Sequence, residues 1–247
     1  MTASAKQTMA RMRDALWPGR SLVSGLPAHG ALSAEDFAAL SFITGAQCYS
    51  CGHPLELDLG PKGQCAACLT RAPKWNRARA ALVYDDVSRI PILALKRSGR
   101  RDGLKVMANW MATAASELIE PTDLIVPVPL HYRRLVSRGY NQSGWLASAI
   151  GKQCAKPVQH AALVRTRATP SQANLSPRAR HRNVAGAFKV AAGKTGKVKG
   201  KNVLLVDDVL TTGATLRAAT KALKQAGAEQ INVIVLARVV RATDITV

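Results

Sequence analysis

Aromatic side chains make up only 4% of this 247-residue chain, and acids are few: 15 Asp and Glu stand against 35 Lys and Arg. So few aromatics exclude base stacking as the main device for holding a partner. No apolar run approaches the roughly 18 residues that a bilayer span needs, so no membrane span is expected. The first twenty residues, MTASAKQTMARMRDALWPGR, are basic but have no continuous apolar core. That argues against a secretory signal; an acid-poor organelle presequence is the competing reading, and a cytoplasmic location is the expectation. Five cysteines are too few, and wrongly spaced, for a disulfide scaffold. No internal repeat is present.

What the chain has in excess is positive charge. A net charge of +20 and a pI near 10.5 favour polyanionic partners such as nucleic acid, nucleotides, phosphorylated sugars or an anionic membrane. The basic residues cluster, which weakens solubility as their sole purpose: Lys96, Arg97, Arg100 and Arg101; Arg133, Arg134 and Arg138; Arg165, Arg167, Arg178, Arg180 and Arg182; Lys194, Lys197, Lys199 and Lys201. With aromatics scarce, phosphate is a better target for them than bases.

The chain divides into three parts. Residues 1–46 hold two weak helical patterns around the turn-rich WPGRSLVSGLPAHG, the second opening on a Ser33 cap. Residues 47–76 form a Gly- and Pro-rich module with Cys48-x-x-Cys51 and Cys65-x-x-Cys68, two pairs separated by thirteen residues. Four thiolates at that spacing suit a closed, structural tetrahedral Zn²⁺; two redox dithiols are the alternative. Basic residues beside it (Arg71, Lys74, Arg77, Arg79) fit a DNA-facing surface or a merely solvated one.

Residues 77–247 alternate apolar strands with amphipathic helices, the pattern of an α/β fold with a parallel sheet. Strands are expected at ARAALVY, DLIVPVPL, KNVLLVDDV and INVIVLARVV. Helices are expected at VSRIPILALKR, interrupted by Pro91, at GLKVMANWMATAASEL, at NQSGWLASAIGKQC and at ATLRAATKALKQAG, the last closed by Gly227. RTRATPSQANLSPRARHRN reads as a moving loop or short helix, and AAGKTGKVKGK as a solvated linker.

The chemistry concentrates at VLLVDDVLTTGATL, residues 203–216. Two adjacent carboxylates at a strand end repel each other unless a ligand settles there. In an open parallel sheet, ligands collect beyond the carboxyl ends of the strands. Asp207 and Asp208 would lie at such an end. A Gly, three Thr hydroxyls and a helix N-terminus follow, a nest suited to a phosphate monoester. Carboxylates for two vicinal hydroxyls beside a phosphate nest describe a ribose 5-phosphate.

This stretch resembles the 5-phosphoribosyl-1-pyrophosphate (PRPP) motif of type I phosphoribosyltransferases. The order of Cys-x-x-Cys pairs, ALKRSGRRDG, PVPLHYRRLVSRGYNQS, RATPSQANLSPRARHRNVAGAF and the PRPP motif is similar to the ComF family, from about Cys48 to Arg238. Those are bacterial phosphoribosyltransferase-like proteins associated with competence and DNA uptake. The resemblance implies a type I phosphoribosyltransferase-like parallel sheet with flanking helices, plus a small Cys₄ zinc ribbon. It also implies that Asp207 and Asp208 bracket the ribose hydroxyls and that Thr211, Thr212, Gly213, Ala214 and Thr215 hold the 5-phosphate. Pro129, Leu130, His131, Arg133 and Arg134 would face the pyrophosphate. Arg165, Arg167, Gln172, Arg178 and Arg182 would belong to a mobile loop closing over PRPP.

Glutamine amidophosphoribosyltransferases carry a similar loop, but this chain has no room for their glutamine-hydrolysing domain. Many ComF-like chains have a further cysteine set upstream; here LWPGRSLVSGLPAHG has none, so one zinc is expected.

Transfer from PRPP would need position and electrostatics rather than a covalent nucleophile. Mg²⁺ would accompany the diphosphate, and Lys96, Arg133, Arg134 and the loop arginines would neutralise it. Lys96 and Arg97 also read as a solvated helix end, and Arg165, Arg167 and Arg182 as contacts to a nucleic-acid backbone. The sequence shows neither an acceptor-binding hood nor a general base. Three readings stand: a PRPP-binding ComF-type protein of natural transformation, with single-stranded DNA and a DNA-uptake protein as partners; a phosphoribosyltransferase with an unassigned acceptor; and a nucleic-acid adaptor with a vestigial site.

Overall fold

In the computed structural model the described residues are 19–28, 30–97, 99, 101–167 and 184–240. A two-stranded antiparallel ribbon, β1 (Gly19–Arg20) and β2 (Pro27–Ala28), precedes α1 (Ala34–Ala38). The Ser33 hydroxyl caps α1 by accepting from the Asp36 N–H at 3.1 Å. The Asp36 carboxylate in turn accepts from the hydroxyls of Ser21 and Ser24, which ties the ribbon to this helix and lowers the Asp36 pKa. The cysteine module follows, with α2 (Ala66–Thr70) as its one regular element.

The larger unit contains β3 (Ala78–Val83), α3 (Arg89–Arg97), α4 (Leu104–Ala114), α5 (Ser116–Ile119) and β4 (Leu124–Pro127). It continues with α6 (Tyr132–Arg138), α7 (Gln142–Gln153), β5 (Leu163–Arg165) and β6 (Phe188–Val190). It closes with α8 (Thr195–Val198), β7 (Asn202–Leu210), α9 (Ala214–Gln225) and β8 (Gln230–Arg238). Four strands form a parallel sheet in the order β3-β8-β7-β4, while β5 and β6 pair antiparallel.

The near-continuous apolar runs of β7 and β8 follow from burial on both faces. Val203 and Leu205 pack with Leu216, Ala219 and Leu223 of α9. Leu204 and Val206, one residue out of phase, pack with Met107 and Met111 of α4 and Leu146 and Ile150 of α7. Each such Leu is fully buried and contributes about 1.5–3 kcal/mol relative to leaving it exposed. Leu22 and Leu40 join the second layer, so the segment before the cysteines is packed against the sheet.

Two local expectations are corrected. Pro91 does not interrupt α3: it occupies the third position of the helix, where its missing N–H has no intrahelical partner to lose. The Gly- and Lys-rich linker is not all solvated loop, because Val198 is fully buried and anchors the short α8, leaving Lys197, Lys199 and Lys201 in water. Gly227, at φ +86°, ends α9 in the left-handed conformation that glycine adopts without strain.

Candidate functional site

Asp207 and Asp208 do not end their strand. β7 runs on to Leu210 beside β8, but β4 stops at Pro127, opposite Val206. The acids therefore stand one step beyond the end of a neighbouring strand, where the sheet opens into a cavity of about 520 Å³. Lys96 reaches this cavity from the last turn of α3, Pro129 and Leu130 from the turn after β4, Arg134 from α6 and Arg165 from the end of β5. Thr211 and Thr215 close it from the start of α9.

The two carboxylates have different surroundings. Asp208 receives the Lys96 ammonium at 3.0 Å on Oδ1 and the Gln142 Nε2 at 2.7 Å on Oδ2. Gln142 is oriented by Arg138, whose Nη1 donates to its Oε1 at 2.7 Å. Asp207 accepts from the Ser143 hydroxyl and from the Asp208 N–H, both at 2.9 Å on Oδ1. Burial, followed by the adjacent Asp208 charge, pushes its pKa up to about 7, against the smaller opposing effects of these hydrogen bonds and of Lys96. One acid is thus held in an ion pair with Lys96, and Asp207 close to neutral pH is poised between proton and charge.

The residues after the acids form a tight turn. Gly213 has φ +71°, and a Cβ there would lie 2.8 Å from the Trp75 ring, so both conformation and space demand glycine. Its carbonyl accepts the first helical bond, from the Arg217 N–H at 2.8 Å. The Thr212 Oγ1 is buried without a protein partner, and Gly213 and Ala214 are buried beside it. A hydroxyl so placed at the N-terminus of a twelve-residue helix suits an incoming anion.

Not every residue named from the sequence faces this cavity. His131 caps α6, its Nδ1 accepting from the Arg133 N–H at 3.3 Å, while its backbone bridges to Arg165. The Arg133 side chain is exposed and lies outside the cavity lining. Arg165 stacks 5.4 Å above the Phe188 ring; burial and then the Arg134 charge lower its pKa, while Asp207 raises it. Arg167 turns away to donate to the Ala185 carbonyl at 3.0 Å. Gln172, Arg178 and Arg182 lie outside the described residues.

Three lining residues, Arg138, Gln142 and Ser143, were not singled out as site residues from the sequence. Gln142 and Ser143 are almost wholly buried polar groups at the start of their helix. That polar start after a turn was the available signal.

The cysteine module sits against the Thr211–Thr215 turn. The sulfurs of Cys48, Cys51, Cys65 and Cys68 all lie within 4.8 Å of one another, and Cys51 to Cys65 is 3.7 Å. Metal–sulfur bonds of about 2.3 Å in a tetrahedron place sulfurs about 3.8 Å apart, so the four thiols fit a metal such as zinc. Without a cation they cannot ionise together: Cys48 is held below the ordinary thiol range by hydrogen bonds from the others, and the neighbouring thiols push Cys65 and Cys68 above it. Trp75, which covers Gly213, donates its Nε1–H to the Ser50 carbonyl at 2.9 Å. Arg238, at the end of β8, donates Nη1–H to the Cys51 carbonyl at 2.5 Å and to its sulfur at 3.3 Å. Arg77 and Arg79 are occupied by Glu117, at 3.0 and 2.9 Å, and Arg79 is buried.

Residues 110–244 match the family described as "Phosphoribosyl transferase domain". The chain is similar to the DNA utilization protein YhgH of Escherichia coli strain K12, with 32% identity over 196 residues covering 77% of this chain and 83% of the relative. It is 30% identical to competence protein F of Haemophilus influenzae, covering 77% and 84% of the two chains. Competence protein ComFC of Bacillus subtilis is 24% identical, covering 76% and 75%.

Proposed function

The chain belongs to the phosphoribosyl transferase domain family, with competence protein F among its relatives, and on that premise we propose that it binds PRPP and acts in the handling of DNA. The observation that carries the ligand assignment is the meeting of the Asp207/Asp208 pair and the Thr211–Thr215 turn in one cavity of about 520 Å³. The 5-phosphate takes the N–H groups at the start of α9 and the Thr212 hydroxyl. The two ribose hydroxyls donate to the acids, favouring the charged form of Asp207. Arg134, Arg138 and Arg165 face the diphosphate end, where their charge balances the leaving group that departure of pyrophosphate would create.

Asp207 and Asp208 are the carboxylates that would hold a Mg²⁺ accompanying the diphosphate, and the ion would supply charge neutralisation to the leaving group. Lys96 holds Asp208 in place and thereby fixes the face it offers to the sugar. In the cysteine module, one structural Zn²⁺ held by Cys48, Cys51, Cys65 and Cys68 would let all four thiols ionise and stiffen a segment too small for a core of its own. The role in DNA comes from the relatives' names and fits the net charge of +20.

Calorimetric titration with PRPP and Mg²⁺ tests the reading. Saturable binding that Asp207→Asn/Asp208→Asn loses while staying folded supports a live ribosyl-phosphate site. Undiminished binding in the folded variant overturns the assignment, and no binding by the wild type leaves a nucleic-acid adaptor on a transferase fold.

A further inference from the structure

A second recess lies between the cysteine module and the outer side of α9. It comprises two adjoining cavities of about 430 and 390 Å³ that share Lys74, Lys221 and Gln225. Five cations line it, Arg71, Lys74, Arg217, Lys221 and Lys224, and no carboxylate does. Arg217, Lys221 and Lys224 are spaced i, i+4 and i+7, so one face of the helix carries all three. None of the five makes an ion pair among the described residues.

Arg217 sits deepest. It is half-buried, held by the Ala72 carbonyl at 2.8 Å and by the Trp75 ring at 5.3 Å, and its Nε is buried without a partner. Burial, and next the neighbouring Arg71 charge, keep its pKa below the usual guanidinium range. The Cys68 and Cys51 sulfurs oppose this lowering in part, and no carboxylate lines the recess beside Arg71 and Arg217. The floor is apolar, with Phe188, Ala218 and Ala222, and its end is Ala214, the first residue of α9 and part of the Thr211–Thr215 turn.

We propose that this groove seats the backbone of single-stranded DNA, which runs from the Thr211–Thr215 turn along α9 toward Lys224. The inference rests on the DNA-handling role proposed above and gives it a location distinct from the Asp207/Asp208 cavity, with which the recess shares no lining residue. A flexible strand can descend to the recessed Arg217, whereas a stiff duplex meets only the exposed lysines. The apolar floor takes sugars, and no exposed aromatic lines the two cavities among the described residues, which leaves binding indifferent to base identity. Each phosphate neutralised on a single strand steepens the log affinity–log salt slope by about 0.7, so five cations give about 3.5.

The test uses fluorescence anisotropy of a labelled twenty-nucleotide oligo(dT) with the full chain from 50 to 300 mM salt. Lys74→Gln/Lys221→Gln/Lys224→Gln removes three exposed charges that make no internal contact. It is expected to bind at least about tenfold more weakly at 50 mM, with a slope shallower by about 2. Lys105→Gln/Lys152→Gln/Lys197→Gln, an equal loss of exposed charge elsewhere, should bind as the wild type does. Equal losses in both triples, or wild-type affinity in the groove triple, overturn the proposal, as does a duplex competing as well as the single strand. PRPP titration of the groove triple separates the two readings: it should match the wild type whether or not DNA is bound, since none of the three lysines lines the acidic cavity.

Discussion

Replacing Asp207 with Asn should make the ligand-free protein more stable, not less. In an unfolded chain this carboxyl titrates near 3.9, whereas burial and Asp208 bring it to about 7 in the folded protein. Between those values the folded protein keeps a proton that the unfolded chain has released. Stability therefore falls as pH rises through this window and levels off above it. At about 1.4 kcal/mol per pKa unit the full span gives about 4 kcal/mol as a ceiling. Asp207 is partly open to the cleft, where solvent screens it, so about 2 kcal/mol is the working figure. Asn retains the Oδ1 that accepts from Ser143 and the Asp208 N–H, so no hydrogen bond is lost. At pH 8 the variant should melt about 4–8 °C above the wild type, and at pH 4 the two should coincide. Scanning calorimetry at several pH values, with no ligand present, reads this directly. A melting temperature at or below wild type at pH 8, or a difference that does not change with pH, refutes the account of the acid pair.

Three further outcomes follow from the same geometry. Because the ribose hydroxyls favour charged Asp207, PRPP binding near pH 6.5 should release a fraction of a proton, seen as a calorimetric enthalpy that varies with the buffer's ionisation heat; Asp207→Asn should abolish any such dependence along with binding. Gly213→Ala forces a side chain into left-handed backbone and against Trp75, and should cost about 1–3 kcal/mol in denaturant unfolding while weakening PRPP more than that loss alone explains. Leu205→Ala opens a cavity between the sheet and α9 and should cost about 2–5 kcal/mol with PRPP affinity unchanged in the fraction that remains folded.

The strands and the acid–turn motif were legible because their signals are local. Apolar runs bounded by turns identify doubly buried strands, and a glycine between threonines before a helix identifies the tight turn after the acids. What escaped the sequence depends on distance along the chain. That β4 would stop one residue short of Asp207, making β4 rather than β7 the strand that opens the cleft, is a fact of register between segments about 80 residues apart. Gln142 serves Asp208 from 66 positions away, and nothing in its own neighbourhood announces that. His131 sat in a promising loop, but a ring nitrogen two residues before an N–H is also a helix cap, and the cap is what forms. Arg77 and Arg79 looked available for DNA because Glu117, distant in sequence, could not be seen as their partner.

Trp75 lies across the back of Gly213 while its indole N–H holds the carbonyl between the two first cysteines. The turn that would grip a phosphate and the loop that would grip a metal thus share one wall. A shift of Trp75 would reach both at once. Losing the metal would register first as a poorer grip on the ribosyl ligand, and only later as unfolding. If zinc and PRPP bind as proposed, the small module is then a gauge on the larger site, and loss of the metal would loosen the hold on PRPP while the core stayed intact.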